Sequence, residues 1–337
     1  MASRLLDSAT PTRTSVANRL WARDLISIRD LAPHEVQAIL DLAAVIKSHP
    51  AEFRGALVGK QMVMFFEKPS LRTRLTFEAA MASLGGMSFF VDQTGSRINA
   101  REPLNDIAHN LERWVDLIVL RTFEHAVVEE IAEHASIPVI NALSDLEHPC
   151  QALADYFTLQ EKFGDLRGVR LAYVGDGNNV AHSLLLACAC MGSSITVATP
   201  KGYEPSSDIV AHALAIAEET GATIEIGSDP WAAVCAADAV YTDVWASMGQ
   251  EHESQKRAAV FAPFQVTESL MQAAAPHAVF MHCLPAHRET EVTSAVIDGP
   301  RSIIFDQAES RLHVQKAILL LLLGGRMSRF PVRSAHA

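Results

Sequence analysis

Ser70-Leu71-Arg72-Thr73-Arg74 packs two guanidiniums and two hydroxyls into one short segment, directly after the apolar run Val63-Met64-Phe65-Phe66. That run predicts a buried strand. The spacing of Leu71, Leu75, Phe77, Met81 and Leu84, stopped by Gly85-Gly86, predicts a helix over 70–84. A strand, a polar turn and a helix start leave backbone N–H groups free at one point. That is an anion site before any side chain is counted. Ser70 and Thr73 add hydroxyl donors, and Arg72 and Arg74 add cations whose fork suits phosphate oxygens. The segment reads as a phosphate cradle. The plainer alternative is an N-capping serine followed by two solvated arginines.

Other polar residues fall just past predicted strands. Arg121 closes Leu117-Ile118-Val119-Leu120. His148-Pro149-Cys150-Gln151 sets an imidazole and a carboxamide at a helix start, where both could grip a carbonyl group; taken alone, His148 reads as a structural histidine. Gly175-Asp176-Gly177-Asn178-Asn179 is a strand-to-helix turn. Val180 stands where a dinucleotide fingerprint needs its third glycine, and no acid ends the next strand, which argues against nicotinamide binding. The Asn179 amide could donate to a carboxylate there. The Asp243 carboxylate, opening the loop through Ser247-Met248-Gly249, would suit a cationic amine; the alternative is a surface loop with an Asx turn. In His282-Cys283-Leu284-Pro285, Cys283 reads as packed against a substrate, with no reason for a thiolate intermediate. Arg311, in the last helix, could reach an anion between domains, though a lone helical arginine ordinarily faces solvent.

These residues need a scaffold that gathers strand ends. The chain has 337 residues, which favours two domains of roughly 150 residues each. Its composition, 49% hydrophobic and 20% charged, is that of a soluble globular protein. A formal net charge of -11 disfavours a nucleic-acid surface, yet leaves room for an anionic substrate inside an arginine-lined cleft. The 5 cysteines form no zinc-ribbon spacing and suggest a reducing compartment. No signal peptide stands out, and the run Ala317 to Leu323 is too short to span a bilayer. Residues 1–20 read as a disordered leader.

Asp30, with Pro33 close behind, predicts a capped helix start. Strands are expected at 61–66, 87–91, 117–120 and 138–140, with helices at 70–84, 103–114 and 125–134 between them. Asn141 should begin a loop that leads into a long helix ending at Phe163. A second block is expected after the break at Asp165-Leu166-Arg167-Gly168. It has strands at 169–174, 194–198, 223–226, 239–242 and 278–281, helices at 179–191 and 207–220, and a final helix at 307–323. The alternation implies two doubly wound parallel-sheet α/β domains joined by interdomain helices. The expected division is 21–164, then 165–306, with 307–337 packing back on the first domain. Ligands in such sheets sit at the carboxyl ends of strands, where strand order reverses.

Taken together, Ser70-Leu71-Arg72-Thr73-Arg74, His148-Pro149-Cys150-Gln151, Gly175 to Asn179, Asp243 to Gln250 and His282-Cys283-Leu284-Pro285 resemble the motifs of ornithine carbamoyltransferases, in that family's order, from about residue 22 to about 323. The resemblance implies an enzyme converting carbamoyl phosphate and L-ornithine to L-citrulline and phosphate in arginine metabolism. It also implies a cytoplasmic homotrimer or multiple of trimers, with no metal, no organic cofactor, and no nucleic-acid or membrane partner. On the same resemblance, Ser70, the Leu71 backbone, Arg72 and Thr73 contact phosphate. Arg121 and Arg311 contact phosphate or the carbamoyl oxygen, and His148 and Gln151 hold the carbamoyl group. Asn179, Asp243, Ser247 and the Met248 backbone hold ornithine, and Cys283 and Leu284 line the point of attack. The resemblance counts Arg72, Arg121, His148, Gln151, Asp243, Cys283 and Arg311 as the catalytic set. One departure is Leu71, where the family usually carries threonine. Relatives acting on N-acetyl- or N-succinyl-ornithine often carry Ser-Leu-Arg-Thr-Arg, while Ser247-Met248-Gly249 points to a free α-amino group. An inactive paralogue using the fold as an interaction platform is the reading from another class.

Overall fold

The computed structural model describes residues 20–93, 96–246 and 253–324. A 3-10 turn (Ile28–Asp30) precedes helix α1 (Pro33–Ser48). Asp30, expected to cap α1, lies in that turn; Glu35 closes the helix start instead, accepting the Ala32 N–H at 2.9 Å. Next come β1 (Gln61–Phe66), α2 (Leu71–Ser83), β2 (Met87–Asp92), α3 (Leu104–Leu111), β3 (Leu117–Arg121), α4 (His125–His134) and β4 (Val139–Leu143). The four strands pair in parallel in the order β2-β1-β3-β4. β4 continues past Ile140 because Asn141 has an interior partner, its amide donating to the Ile26 carbonyl at 2.9 Å.

Helix α5 (Pro149–Phe163) leads into the second half, with β5 (Arg170–Val174), α6 (Asn179–Met191), β6 (Ser194–Ala198), α7 (Ser207–Thr220), β7 (Thr223–Gly227), α8 (Pro230–Val234) and β8 (Ala239–Tyr241). It closes with α9 (Ser254–Phe261), α10 (Glu268–Ala273), β9 (Val279–Met281), α11 (Ser294–Ile297) and α12 (Ile304–Leu323). The five strands are parallel in the order β7-β6-β5-β8-β9. The molecule is thus two doubly wound α/β units. β3 and β8 are buried along their whole length, as strands covered by helices on both faces must be. Helices α8, α10 and α11 are too short to show a helical period in sequence.

Both sheets reverse their order once, between β1 and β3 and between β5 and β8. The segments leaving those strands are 67–73, 121–124, 175–179 and 242–246, and β9 lies next to β8. The chemistry-bearing residues therefore converge at the carboxyl edges. What holds the edges together is a shared apolar core running unbroken through α1, α5, α6 and α12. Helix α12 begins at Ile304, before the expected Gln307, and packs on α1, α2 and α5. Its Leu319 and Leu320 are fully buried, and each such side chain contributes about 1.5–3 kcal/mol. No described helix is long and apolar enough to cross a membrane.

Candidate active site

Ser70 stops the β1 segment and caps α2, its Oγ accepting the Thr73 N–H at 3.2 Å. Arg72 and Thr73 then point into the cleft, Arg72 half-buried and Thr73 buried. Leu71 turns its side chain out, 72% exposed, so it can meet a ligand there only through its backbone. Arg74 does not join the cradle: it is exposed, pairs with Glu78 at 3.0 Å and lies over the Phe90 ring at 3.9 Å. Helix geometry decides this, since residues two apart point to opposite sides.

Arg121 ends β3 and Arg311 projects from the second turn of α12; both are buried. Arg311 donates to Thr73 Oγ1 at 2.7 Å and to Gln151 Oε1. Among the described residues no carboxylate pairs with Arg121, and Nε of both arginines lacks a partner. Burial, then the charges of Arg311 and Arg72, push Arg121 down to about 9. Arg311 and Arg72 are also lowered, first by burial. Three guanidiniums that repel one another, with no salt bridge to a carboxylate among the described residues, form an anion hole with an unmet charge.

His148 stands at the start of α5, its main-chain N–H donating to Ser183 Oγ at 2.9 Å and its Nδ1 unpartnered in the interior. Burial and the nearby Arg311 and Arg121 hold the imidazole well below its ordinary range, so it is neutral. Gln151, one turn on, is committed at both ends. Its Oε1 faces Arg311 and its Nε2 donates to Asp155 Oδ1 at 2.7 Å. What Gln151 has left to offer is an Oε1 lone pair and the second hydrogen of its NH2.

Asp155 also accepts Gln307 Nε2 at 2.7 Å and Tyr241 OH at 3.0 Å, and Gln307 Oε1 takes the His282 N–H at 2.9 Å. This buried chain ties Gln151 to the turn after β9. In that turn the His282 Nδ1 accepts the Leu284 N–H at 2.9 Å, and Leu284, with φ +59°, precedes a cis Pro285. Cys283 donates its thiol to Asp243 Oδ1 at 3.1 Å, and burial with the Asp243 charge holds the thiol well above its usual range, so it stays protonated. The Asp243, His282 and Cys283 donor atoms lie within 4.8 Å of one another, but each already has a hydrogen-bond partner.

Asn178 caps α6 and donates to Asp243 Oδ2 at 2.8 Å. Asn179, expected to reach a carboxylate, instead donates to the Ser144 carbonyl at 2.7 Å, across from the other half. Ser247 and Met248 lie outside the described residues. A cleft of about 320 Å³ opens here, lined by Lys68, Asp176, Asn178, Asn179, Tyr203 and Arg257 among others. Asp155, Gln307, Tyr241 and Asn178 went unread in sequence. The signal for Asp155 was an acid inside an otherwise apolar helical stretch, and for Asn178 its place just before a helix start.

Two family models match, described as the carbamoyl-P binding domain and the Asp/Orn binding domain of aspartate/ornithine carbamoyltransferase, over residues 23–161 and 167–322. The chain belongs to the aspartate/ornithine carbamoyltransferase family. A protein from Pyrococcus abyssi named ornithine carbamoyltransferase is 49% identical over 92% of this chain and 99% of that protein. One from Pyrococcus furiosus, named as the anabolic ornithine carbamoyltransferase, is 49% identical over 91% of this chain and 98% of that one. The solved ornithine carbamoyltransferase structure from Pyrococcus furiosus superposes with a TM-score of 0.88, at 49% identity, covering 91% of this chain and 98% of that chain. Within this carbamoyltransferase fold, the cradle at the carboxyl edge of β1 falls in the segment matched to carbamoyl-P binding. Asn178, Asp243 and Cys283 fall in the other.

Proposed function

We propose that the chain transfers the carbamoyl group of carbamoyl phosphate to the δ-amine of L-ornithine, giving L-citrulline and phosphate in arginine synthesis. The observation that carries this reading is the trio Arg72, Arg121 and Arg311, with no salt bridge to a carboxylate among the described residues, beside a neutral His148. In this reading the phosphate lies on the start of α2, held by Ser70, the Leu71 backbone, Arg72 and Thr73. Arg121, Arg311 and His148 surround the carbamoyl oxygen, with His148 as neutral donor. Gln151 Oε1 accepts a hydrogen from the carbamoyl NH2.

The neutral δ-amine attacks the carbonyl carbon. Its nitrogen–carbon bond forms, negative charge moves to the carbonyl oxygen, and the guanidiniums stabilise it. Such preorganised donors are worth on the order of 3–4 kcal/mol each. The carbon–oxygen bond to phosphate then breaks, and phosphate carries away the proton released by the amine. Asp243, Asn179, Ser247 and Met248 hold the amino acid, and Cys283 and Leu284 line the reacting carbon. Asp243 favours one protonation state of the diamine. Because Leu71 faces outward, its departure from the family's threonine bears little on the acceptor, and the free amino acid is favoured over its acylated forms.

Leu71, Leu75, Met87 and Phe89 leave an exposed apolar strip on α2 and β2, which supports a homotrimer. The enzyme works in the cytoplasm in this reading, and its domains divide near 164, in the turn-rich linker between α5 and β5. A panel of ornithine, N-acetylornithine, N-succinylornithine, putrescine and aspartate with carbamoyl phosphate tests the reading. Citrulline from ornithine alone supports it, turnover only with an acylated acceptor overturns the amino-acid half, and no turnover overturns the whole.

A further inference from the structure

Asp155 touches neither the cradle nor the cleft, yet the site's polar groups lead to it. It is fully buried and accepts three hydrogen bonds, from Gln151, Gln307 and Tyr241. The polarity of this network is fixed by chemistry. Arg311 has only donors, so the Gln151 atom facing it must be the amide oxygen, and its NH2 must face Asp155. The His282 backbone N–H is a donor, so Gln307 presents oxygen to it and NH2 to Asp155. Tyr241 adds a hydroxyl donor. A carboxylate accepts all three, Oδ1 taking both amides and Oδ2 the hydroxyl, and its charge strengthens each bond.

From this we infer that Asp155 is a positioning residue. It locks the Gln151 amide with its oxygen toward the carbamoyl site, so that the site reads the NH2 of the carbamoyl group rather than any acyl group. Through Gln307 the same carboxylate anchors the His282-Cys283-Leu284 turn, so the carbamoyl half and the amine half are held by one buried charge. Without that acceptor Arg311 alone is left to orient the amide, and in the fraction that turns over, its NH2 meets the substrate's NH2 donor to donor.

This inference rests on the carbamoyl transfer proposed above, and its test separates the two. The probes are two stable phosphonates, phosphonoacetamide and 2-oxopropylphosphonate, which differ only in carrying NH2 or CH3 on the carbonyl. Calorimetry on the full chain should show wild type preferring the amide by about tenfold, the worth of one net hydrogen bond. Asp155→Leu, which removes the oxygen that both amides share, should weaken phosphonoacetamide about tenfold and leave 2-oxopropylphosphonate within about twofold, while Gln151→Met does the same. The double variant should lose no further selectivity, since both act through one contact. Equal weakening of both ligands, or additive loss in the double variant, means Asp155 is merely structural and overturns the inference.

If Asp155→Leu does not fold, wild type carries the test by pH. Burial pushes Asp155 up to about 6, against its three donors and the Arg311 charge. The titratable and charged groups facing it are Arg311 from α12, Tyr241 from β8, Cys283 after β9 and its own helix neighbour Tyr156, a phenol that burial keeps protonated. Tyr241 and Cys283 are held well above their usual ranges, and Arg311 remains the cation. Amide preference should then fall as pH drops below about 6. A preference flat across that range contradicts the inference. A wild type that binds neither phosphonate contradicts the proposed function instead.

Discussion

Arg121→Met should make the protein more stable and nearly inactive at once. Arg121 is buried at the end of β3, with no carboxylate partner among the described residues and an unpartnered Nε. Its fall from the usual arginine range to about 9 corresponds to on the order of 5 kcal/mol of disfavoured charge at neutral pH. Relaxation takes back part of that, and replacing buried ions by apolar groups of similar volume typically stabilises by about 1–4 kcal/mol. Methionine fills most of the volume, and Arg311 loses a repelling neighbour. The melting temperature of the anion-free variant should rise by roughly 2–4 °C per kcal/mol gained. Turnover should fall about 10²–10³-fold, the loss expected for one oxyanion contact. Inorganic phosphate at about 100 times its dissociation constant should stabilise wild type by about 2.7 kcal/mol and the variant far less. Scanning calorimetry with and without phosphate, beside initial rates, tests all of this. A variant less stable than wild type without anion, or one within tenfold of its kcat/KM, refutes the picture of a charge held for the substrate.

Asp243→Asn should raise the KM for ornithine about tenfold and shift its pH profile while phosphonoacetamide binding holds, because the cradle lies in the other half; unchanged KM and profile would contradict the role given to Asp243. Glu147, buried against Ser27, Ile28 and Ser183, is pushed up to about 7 from 4.5, so its ionisation costs the native state stability as pH rises through that window. Glu147→Gln should therefore gain on wild type between about pH 5 and pH 8, by up to roughly 3 kcal/mol, and calorimetry showing a gap that does not grow with pH would refute it. Leu71→Thr should change the carbamoyl phosphate KM by no more than about twofold and leave the acceptor preference alone, as its side chain is 72% exposed; steady-state kinetics with a new acceptor preference would refute that.

Strand positions and the residues just beyond them were legible because buried parallel strands read as unbroken apolar runs. Val63-Met64-Phe65-Phe66 and Leu117-Ile118-Val119-Leu120 aim Arg72 and Arg121 at one edge without knowledge of the other half. What sequence could not supply was direction around a helix start. Arg72 and Arg74 look alike as letters, and two residues of helical rotation send the second onto Phe90 and Glu78. Asn178 and Asn179 divide their tasks in the same way, one to Asp243 and one to Ser144. Partners set by tertiary contact were hidden altogether. Nothing local says that Gln151 meets Arg311 from α12, or that Asp155 collects donors from β8 and α12. Which end of the carboxamide faces which partner could therefore not be read from sequence.

The most direct test joins labelled substrates in one tube. Carbamoyl phosphate carrying 13C and ornithine carrying 15N at the δ position are incubated with the full chain and followed by NMR. The account predicts a one-bond 13C–15N coupling on the δ nitrogen, growing in step with phosphate release. Phosphate released with no coupling formed, whether by hydrolysis or by transfer to the unlabelled α nitrogen, would contradict it.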